Sequence, residues 1–138
     1  MDAKVLKNKE RQQVGRLGED IACRFLEEKG FNVIDRNYRK FIGEIDIIAK
    51  KDKILYFVEV KTVSRENSKG EESGTASQYR AEDNIHPQKL KRLSRAINAY
   101  LSEKVGDVDC VWRCDAVIVN LSISNKKAQV KYLENIFA

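Results

Sequence analysis

The chain has 138 residues, 42% of them hydrophobic and 34% charged, with 26 Lys and Arg against 21 Asp and Glu for a formal net charge of +5. This composition describes one globular domain large enough to bury a core, and it excludes a helical membrane span, since no apolar run approaches the ~20 residues that crossing requires. A pI near 9.1 permits polyanionic partners without demanding them.

Residues 1–10 (MDAKVLKNKE) are polar and Lys-rich, lack the apolar core of a signal peptide, and read as a flexible basic arm ahead of a domain at 11–138. A cytoplasmic location follows as the expectation. Cys23, Cys110 and Cys114 fit it as small reduced thiols, because an odd count cannot pair fully. Over residues 11–29 the apolar positions Val14, Leu17, Ile21, Phe25 and Leu26 recur at three and four residues, the signature of one helix face, and Gly30 supplies its stop. Glu19 lies at the border of that face.

A strand is expected over residues 31–38 (FNVIDRNY), followed by a basic connection at 39–43. Arg36, Arg39 and Lys40 are candidates for phosphate contact, with ordinary surface charge as the alternative. The stretch GEIDIIAKKDKILYFVEVKT at 43–62 reads as two apolar strands, 44–50 and 54–61, joined by the charged turn Lys51-Asp52-Lys53. A tight hairpin closed by Lys50 with Lys53, or by Lys51 with Ile54, puts Asp46 and Glu59 on one face, roughly 5 to 8 Å apart at Cβ. Lys61 shares the Glu59 face, so two acids and a lysine converge on an otherwise apolar sheet. Burying ionised groups costs several kcal/mol unless they are paired. A hard divalent cation with oxygen ligands would resolve the mismatch, and Lys61 would stand beside its water. Spacing alone leaves open an inert set of charges at strand ends.

Residues 63–85 carry two glycines and many Ser and Glu with little periodicity, which suggests a mobile loop hanging over the acidic strand ends. A second amphipathic helix is expected over 87–104, with Pro87 at its first position and Leu90, Leu93, Ile97, Tyr100 and Leu101 as its buried stripe. Its outer face carries Lys89, Lys91, Arg92 and Arg95, a solvated cluster or a guide for a phosphate backbone. His86, the lone histidine, suits a capping or surface role better than metal ligation. Strands follow at 111–121, where Arg113 and Asp115 share a face, and at 128–133. The order α-β-β-β-α-β-β argues a single α/β domain with a mixed central sheet flanked by helices.

Asp46 followed by Glu59-Val60-Lys61 resembles the D…ExK core of the PD-(D/E)xK nuclease superfamily. More narrowly, GEIDII with FVEVKT is similar to the YraN-like family of small bacterial proteins with a restriction-endonuclease-like fold, and the likeness runs from about Val14 onward. The resemblance implies a metal-dependent nuclease acting on DNA phosphodiesters, with branched or structured DNA suggested by analogy to junction resolvases. It implies Mg²⁺ or Mn²⁺ held by Asp46, Glu59 and the Val60 carbonyl, Lys61 positioning water, and Glu19, from a Gly18-Glu19 pair that matches the family's, as a third carboxylate. Lys89 and Arg92 would join Arg36, Arg39 and Lys40 on the nucleic acid, and a homodimer would suit cutting two strands. The alternative is a nucleic-acid-binding module on a nuclease fold that does not cleave.

Overall fold

Regular structure begins at Ala3 in the computed structural model, which describes residues 2–65, 87–106, 110–122 and 124–137. Helix α1 (Ala3–Glu28) precedes strands β1 (Asn32–Lys40), β2 (Gly43–Lys51) and β3 (Ile54–Arg65); helix α2 (Pro87–Tyr100) precedes β4 (Trp112–Ser122) and β5 (Lys127–Leu133). This is the expected order. The strands form one sheet in spatial order β1-β2-β3-β4-β5, antiparallel except for the parallel β3–β4 pair. Parallel neighbours need a crossover, and α2 lies on it. The domain is therefore α/β with a mixed sheet.

The polar stretch read as a loose arm is the first part of α1. The Asp2 carboxylate caps it by accepting from the Lys4 backbone N–H, and residues 3–13 are helical but exposed on every side. The helix ends as its sequence implies. Gly30 adopts φ +92°, its N–H donates to the Glu27 carbonyl, and the Phe31 N–H donates to the Leu26 carbonyl. These two bonds form a Schellman motif.

The buried face of α1 is rotated from the expected stripe. Gly18, Ala22, Cys23 and Leu26 are buried, whereas Leu17 is 49% exposed. Small residues win the interface because the helix lies directly on β3: a Cβ built on Gly18 would fall 1.8 Å from the Thr62 hydroxyl oxygen. Beneath α1 this face of the sheet presents Ile47, Tyr56, Val58, Val117, Val119 and Leu121. On the opposite face Leu93, Ala96, Ile97 and Tyr100 of α2 cover Ile45, Ile48, Leu55 and Phe57. Gly43 permits that approach, since its Cβ would meet the Arg92 carbonyl oxygen at 2.3 Å.

Helix α2 continues through a π-helical turn, Leu101–Val105, closed by the Gly106 N–H donating to the Leu101 carbonyl at 2.9 Å. The β2–β3 hairpin takes the Lys51–Ile54 register, one of the two foreseen. Asp52 and Lys53 between them both have positive φ, as a two-residue type I′ turn requires. Arg39 and Lys40 belong to β1 rather than to a connection, which shortens to Phe41-Ile42. The strand expected to stop at Lys61 runs on to Arg65, because Val63 and Arg65 pair with Asn120 and Ser122 of β4. The expected mobile loop thus loses its first three residues to β3; the rest of it, with His86, lies outside the described residues.

In β4 the Asp115 side chain is fully buried and accepts from the Tyr132 hydroxyl and, at 2.7 Å, from the Asn135 N–H. Arg113, on the same face of β4, forms an ion pair with it at 3.7 Å. Phe137 is half-exposed with its ring edge-on to Trp112, and all three cysteines are free, Cys23 and Cys114 buried. No helix among the described residues is long and apolar enough to cross a membrane.

Candidate active site

The sheet forks between β2 and β3. Their ladder ends at Ile47 with Val58, yet β2 stays paired with β1 as far as Gly43, and β3 stays paired with β4 as far as Arg65. Asp46 and Glu59 are the first residues past that end, one on each arm. Backbone groups at such a split lose their ladder partners and must find others. The Asp46 carboxylate fills that role by accepting from the Val60 N–H at 2.7 Å across the fork. Asp46 is half-buried and Glu59 is 4% exposed, so both acids of the D…ExK pattern sit in the sheet's opening with little water.

Their electrostatics are unfavourable by themselves. Burial and then the neighbouring Glu59 push the Asp46 carboxyl up to about 8, with Glu19 adding in the same direction. Two carboxylates in low dielectric resist sharing the ionised state. The partial remedy comes from α2, where the Lys89 ammonium pairs directly with the Glu59 carboxylate. Burial works against the Lys89 charge, but Glu59 outweighs it and holds the ammonium above its usual range. The residue read as a nucleic-acid contact therefore lies in the acidic centre.

Glu19 reaches the site from α1, placed there by the Gly18–Thr62 contact. Burial raises its carboxyl, opposed by a hydrogen bond from Asn37 and by the Arg36 charge. Asn37 was absent from the sequence reading. It stands at φ +54° inside β1, a left-handed conformation that non-glycine residues adopt at a cost and Asn tolerates best. A strand residue held this way, with its amide on a site carboxylate, positions Glu19. The only signal in sequence is an Asn in an otherwise strand-like run.

Lys61 is half-buried and lines a groove of about 580 Å³ with Val60 and Thr62 of β3, Lys89 of α2, and Lys7, Arg11, Gly15 and Glu19 of α1. Among the described residues it makes no ion pair with Asp46 or Glu59. The remaining basic candidates are dispersed. Arg36 pairs with Asp20 at 2.8 Å and Glu19 at 3.8 Å, Arg39 with Glu44 at 3.4 Å, and Lys40 with Glu103 at 3.4 Å. Arg92 is exposed on α2. Exposed pairs of this kind are worth under about 1 kcal/mol, so a phosphate can displace them.

The donors present suit a hard divalent ion: a buried and a half-buried carboxylate side by side, of which Asp46 cannot readily ionise without added positive charge. Among the described residues no three acidic, His or Cys side chains gather tightly enough to hold an ion unaided. Asp46 and Glu59 would supply the protein ligands, leaving further positions to water and substrate oxygens as Mg²⁺ commonly does.

Fold and site together define an α/β domain whose mixed sheet opens around a paired acidic centre. The chain belongs to the family described as Uncharacterised protein family UPF0102, matched over residues 18–119. A UPF0102 protein of Helicobacter hepaticus is 37% identical over 123 residues, 88% of this chain and 92% of that one. One of Sulfurovum is 36% identical over 123 residues, 88% of this chain and 91% of its own length. A Campylobacter jejuni relative is 41% identical over 86 residues, 62% of this chain and 66% of that protein, so this alignment spans just under two thirds of the relative. The YraN-like resemblance drawn from GEIDII and FVEVKT names this same family.

Proposed function

We propose that the protein is a metal-dependent nuclease that hydrolyses DNA phosphodiesters on a restriction-endonuclease-like fold. The observation that carries this reading is the pair Asp46 and Glu59 in the sheet's fork, close enough for Glu59 to raise the Asp46 carboxyl, with Lys61 two residues beyond Glu59 on the same strand. In this reading Asp46 and Glu59 hold Mg²⁺ or Mn²⁺, joined by the Val60 carbonyl. The ion supplies charge neutralisation at the phosphoryl oxygens and water of lowered pKa. Lys61 orients the attacking water, and Glu19, steadied by Asn37, tunes the charge of the site. Lys89, paired with Glu59, would be free to meet a substrate phosphate if an ion took its place on that carboxylate. Arg36, Arg39, Lys40 and Arg92 add contacts along the backbone.

Linear, nicked, flapped and four-way DNAs incubated with Mg²⁺ or Mn²⁺ test the reading. At least one is cut by the wild type, and cutting is lost in Asp46→Asn, Glu59→Gln and Lys61→Ala. Folded wild type that cuts none of them refutes it. One observation favours a second reading, a nucleic-acid-binding module without turnover: Lys89 already neutralises Glu59 and could take the place of an ion. DNA binding retained with no cleavage across the panel selects that module.

A further inference from the structure

One seam of α1 changes character along its length. Reading back from the sheet, Leu26, Ala22 and Gly18 are buried at spacings of four, and the same line continues through Gly15, Arg11, Lys7 and Lys4 at spacings of three and four. Such spacing keeps these positions on one side of a helix. The seam is apolar where β3 lies beneath it and cationic where the helix runs past the sheet. Lys7, Arg11 and Gly15 line the groove that ends at Glu19, Lys61 and Lys89. A Cβ on Gly15 would meet nothing within 4 Å, so the wall of the groove is open there.

Among the described residues, this part of α1 buries no side chain against the sheet. Residues 3–13 are exposed, and the ion pairs among the described residues involve none of Lys4, Lys7 and Arg11. Helical turns in proteins owe most of their stability to tertiary contact. An exposed cationic extension bordering a groove that reaches Glu19, Lys61 and Lys89 is matched by a polyanion lying in that groove.

We infer that Lys4, Lys7 and Arg11 form a phosphate-binding rail that receives the DNA backbone flanking the bond at the acidic centre. The inference rests on the proposed nucleic-acid function and extends it to the direction in which substrate leaves the site. The three cations span about 10 Å of helix axis at 1.5 Å per residue, comparable to about three phosphates of one strand at ~3.4 Å each. Glu10 and Glu19 also line the groove. Glu10 tempers the rail, and Glu19 marks where it meets the site.

The test is fluorescence anisotropy of a labelled DNA duplex against full-length wild type and Lys4→Gln/Lys7→Gln/Arg11→Gln, in chelator, across a salt series. Each phosphate contact removed lowers the slope of log affinity against log salt by about 0.9. The triple variant is expected to lose about 2 to 3 from that slope and to bind on the order of tenfold more weakly near 0.1 M salt. Circular dichroism checks that the helix is retained, and the charge-preserving Lys7→Arg/Arg11→Lys protein is expected to bind like wild type. A variant with an intact helix and unchanged slope overturns the rail while leaving the nuclease reading standing. Wild type that binds DNA and cuts none removes the nuclease and keeps the rail; wild type that binds no DNA removes both.

Discussion

Replacing Gly18 with Ala sets two effects of opposite sign against each other. Helix propensity favours Ala over Gly by about 1 kcal/mol. Packing opposes it, because the new Cβ would lie 1.8 Å from the Thr62 hydroxyl oxygen, 2.7 Å from its Cγ2 and 2.8 Å from its Cβ. Rotating the Thr62 side chain moves the first two atoms but not the third, which the β3 backbone fixes. The helix must therefore lift from the strand, at an overpacking cost of about 1 to 3 kcal/mol or more. Packing wins, and Gly18→Ala is expected to lose about 2 kcal/mol in urea denaturation. In a domain of this size that lowers Tm by roughly 6 °C. Glu19 moves with the helix, so under the proposed nuclease function cleavage is expected to fall as well. Thr62→Gly removes all three obstructing atoms, and in that background Gly18→Ala should be neutral or stabilising, a coupling of at least about 1 kcal/mol. A Gly18→Ala protein as stable as wild type, or equally destabilised in both backgrounds, would refute the close contact as the reason for the glycine.

Burial and Glu59 raise the Asp46 carboxyl to about 8, above its unfolded value, so the stability it confers is complete at acid pH and is lost as pH rises through about 8. In chelator, wild-type Tm should fall between pH 5 and 9, and Asp46→Asn should flatten that fall and gain on the order of 2 kcal/mol at the alkaline end. Identical pH profiles for the two proteins would contradict this. Lys89→Met removes the ammonium that pairs with Glu59. It should tighten Mg²⁺ or Mn²⁺ binding severalfold in a thermal-shift titration, and equal or weaker binding would show that Lys89 and the ion do not compete. Asp115→Ala leaves the Tyr132 hydroxyl, the Asn135 N–H and Arg113 without their shared acceptor. A loss of about 3 kcal/mol in chemical denaturation is expected from breaking such a buried network, and a loss within 0.5 kcal/mol speaks against it.

Local chemistry made much of the fold legible. Gly30 marked the end of α1, the Lys51-Asp52-Lys53 turn narrowed the hairpin to two registers, and alternating apolar residues identified the strands. What local pattern could not reveal were distances set by neighbours. Leu17 has the right spacing for a buried face, yet Gly18 and Ala22 take that face because only small residues allow α1 to lie on Thr62. At the site, the strands that carry Asp46 and Glu59 were legible, but the fork that separates those strands depends on β3 joining β4. Lys89 reaches Glu59 only through the docking of α2, a placement that no spacing along the chain encodes. Asn37 escaped notice because a strand-like sequence gives no sign of a positive φ. Its role emerges only when α1 brings Glu19 beside it.

The split between β2 and β3 also governs when the acidic centre takes shape during folding. A free hairpin closed at Lys51 with Ile54 can go on zipping past Ile47 and Val58, which would bring the two arms together. What holds them apart is the pairing of Leu55 with Trp112 and onward to Arg65 with Ser122, contacts between segments distant in the chain. Such pairings form late, after nearby turns have closed. A growing polypeptide thus carries its acids and Lys61 long before it can open the space around them, and the site matures only once β4 has been synthesised and docked.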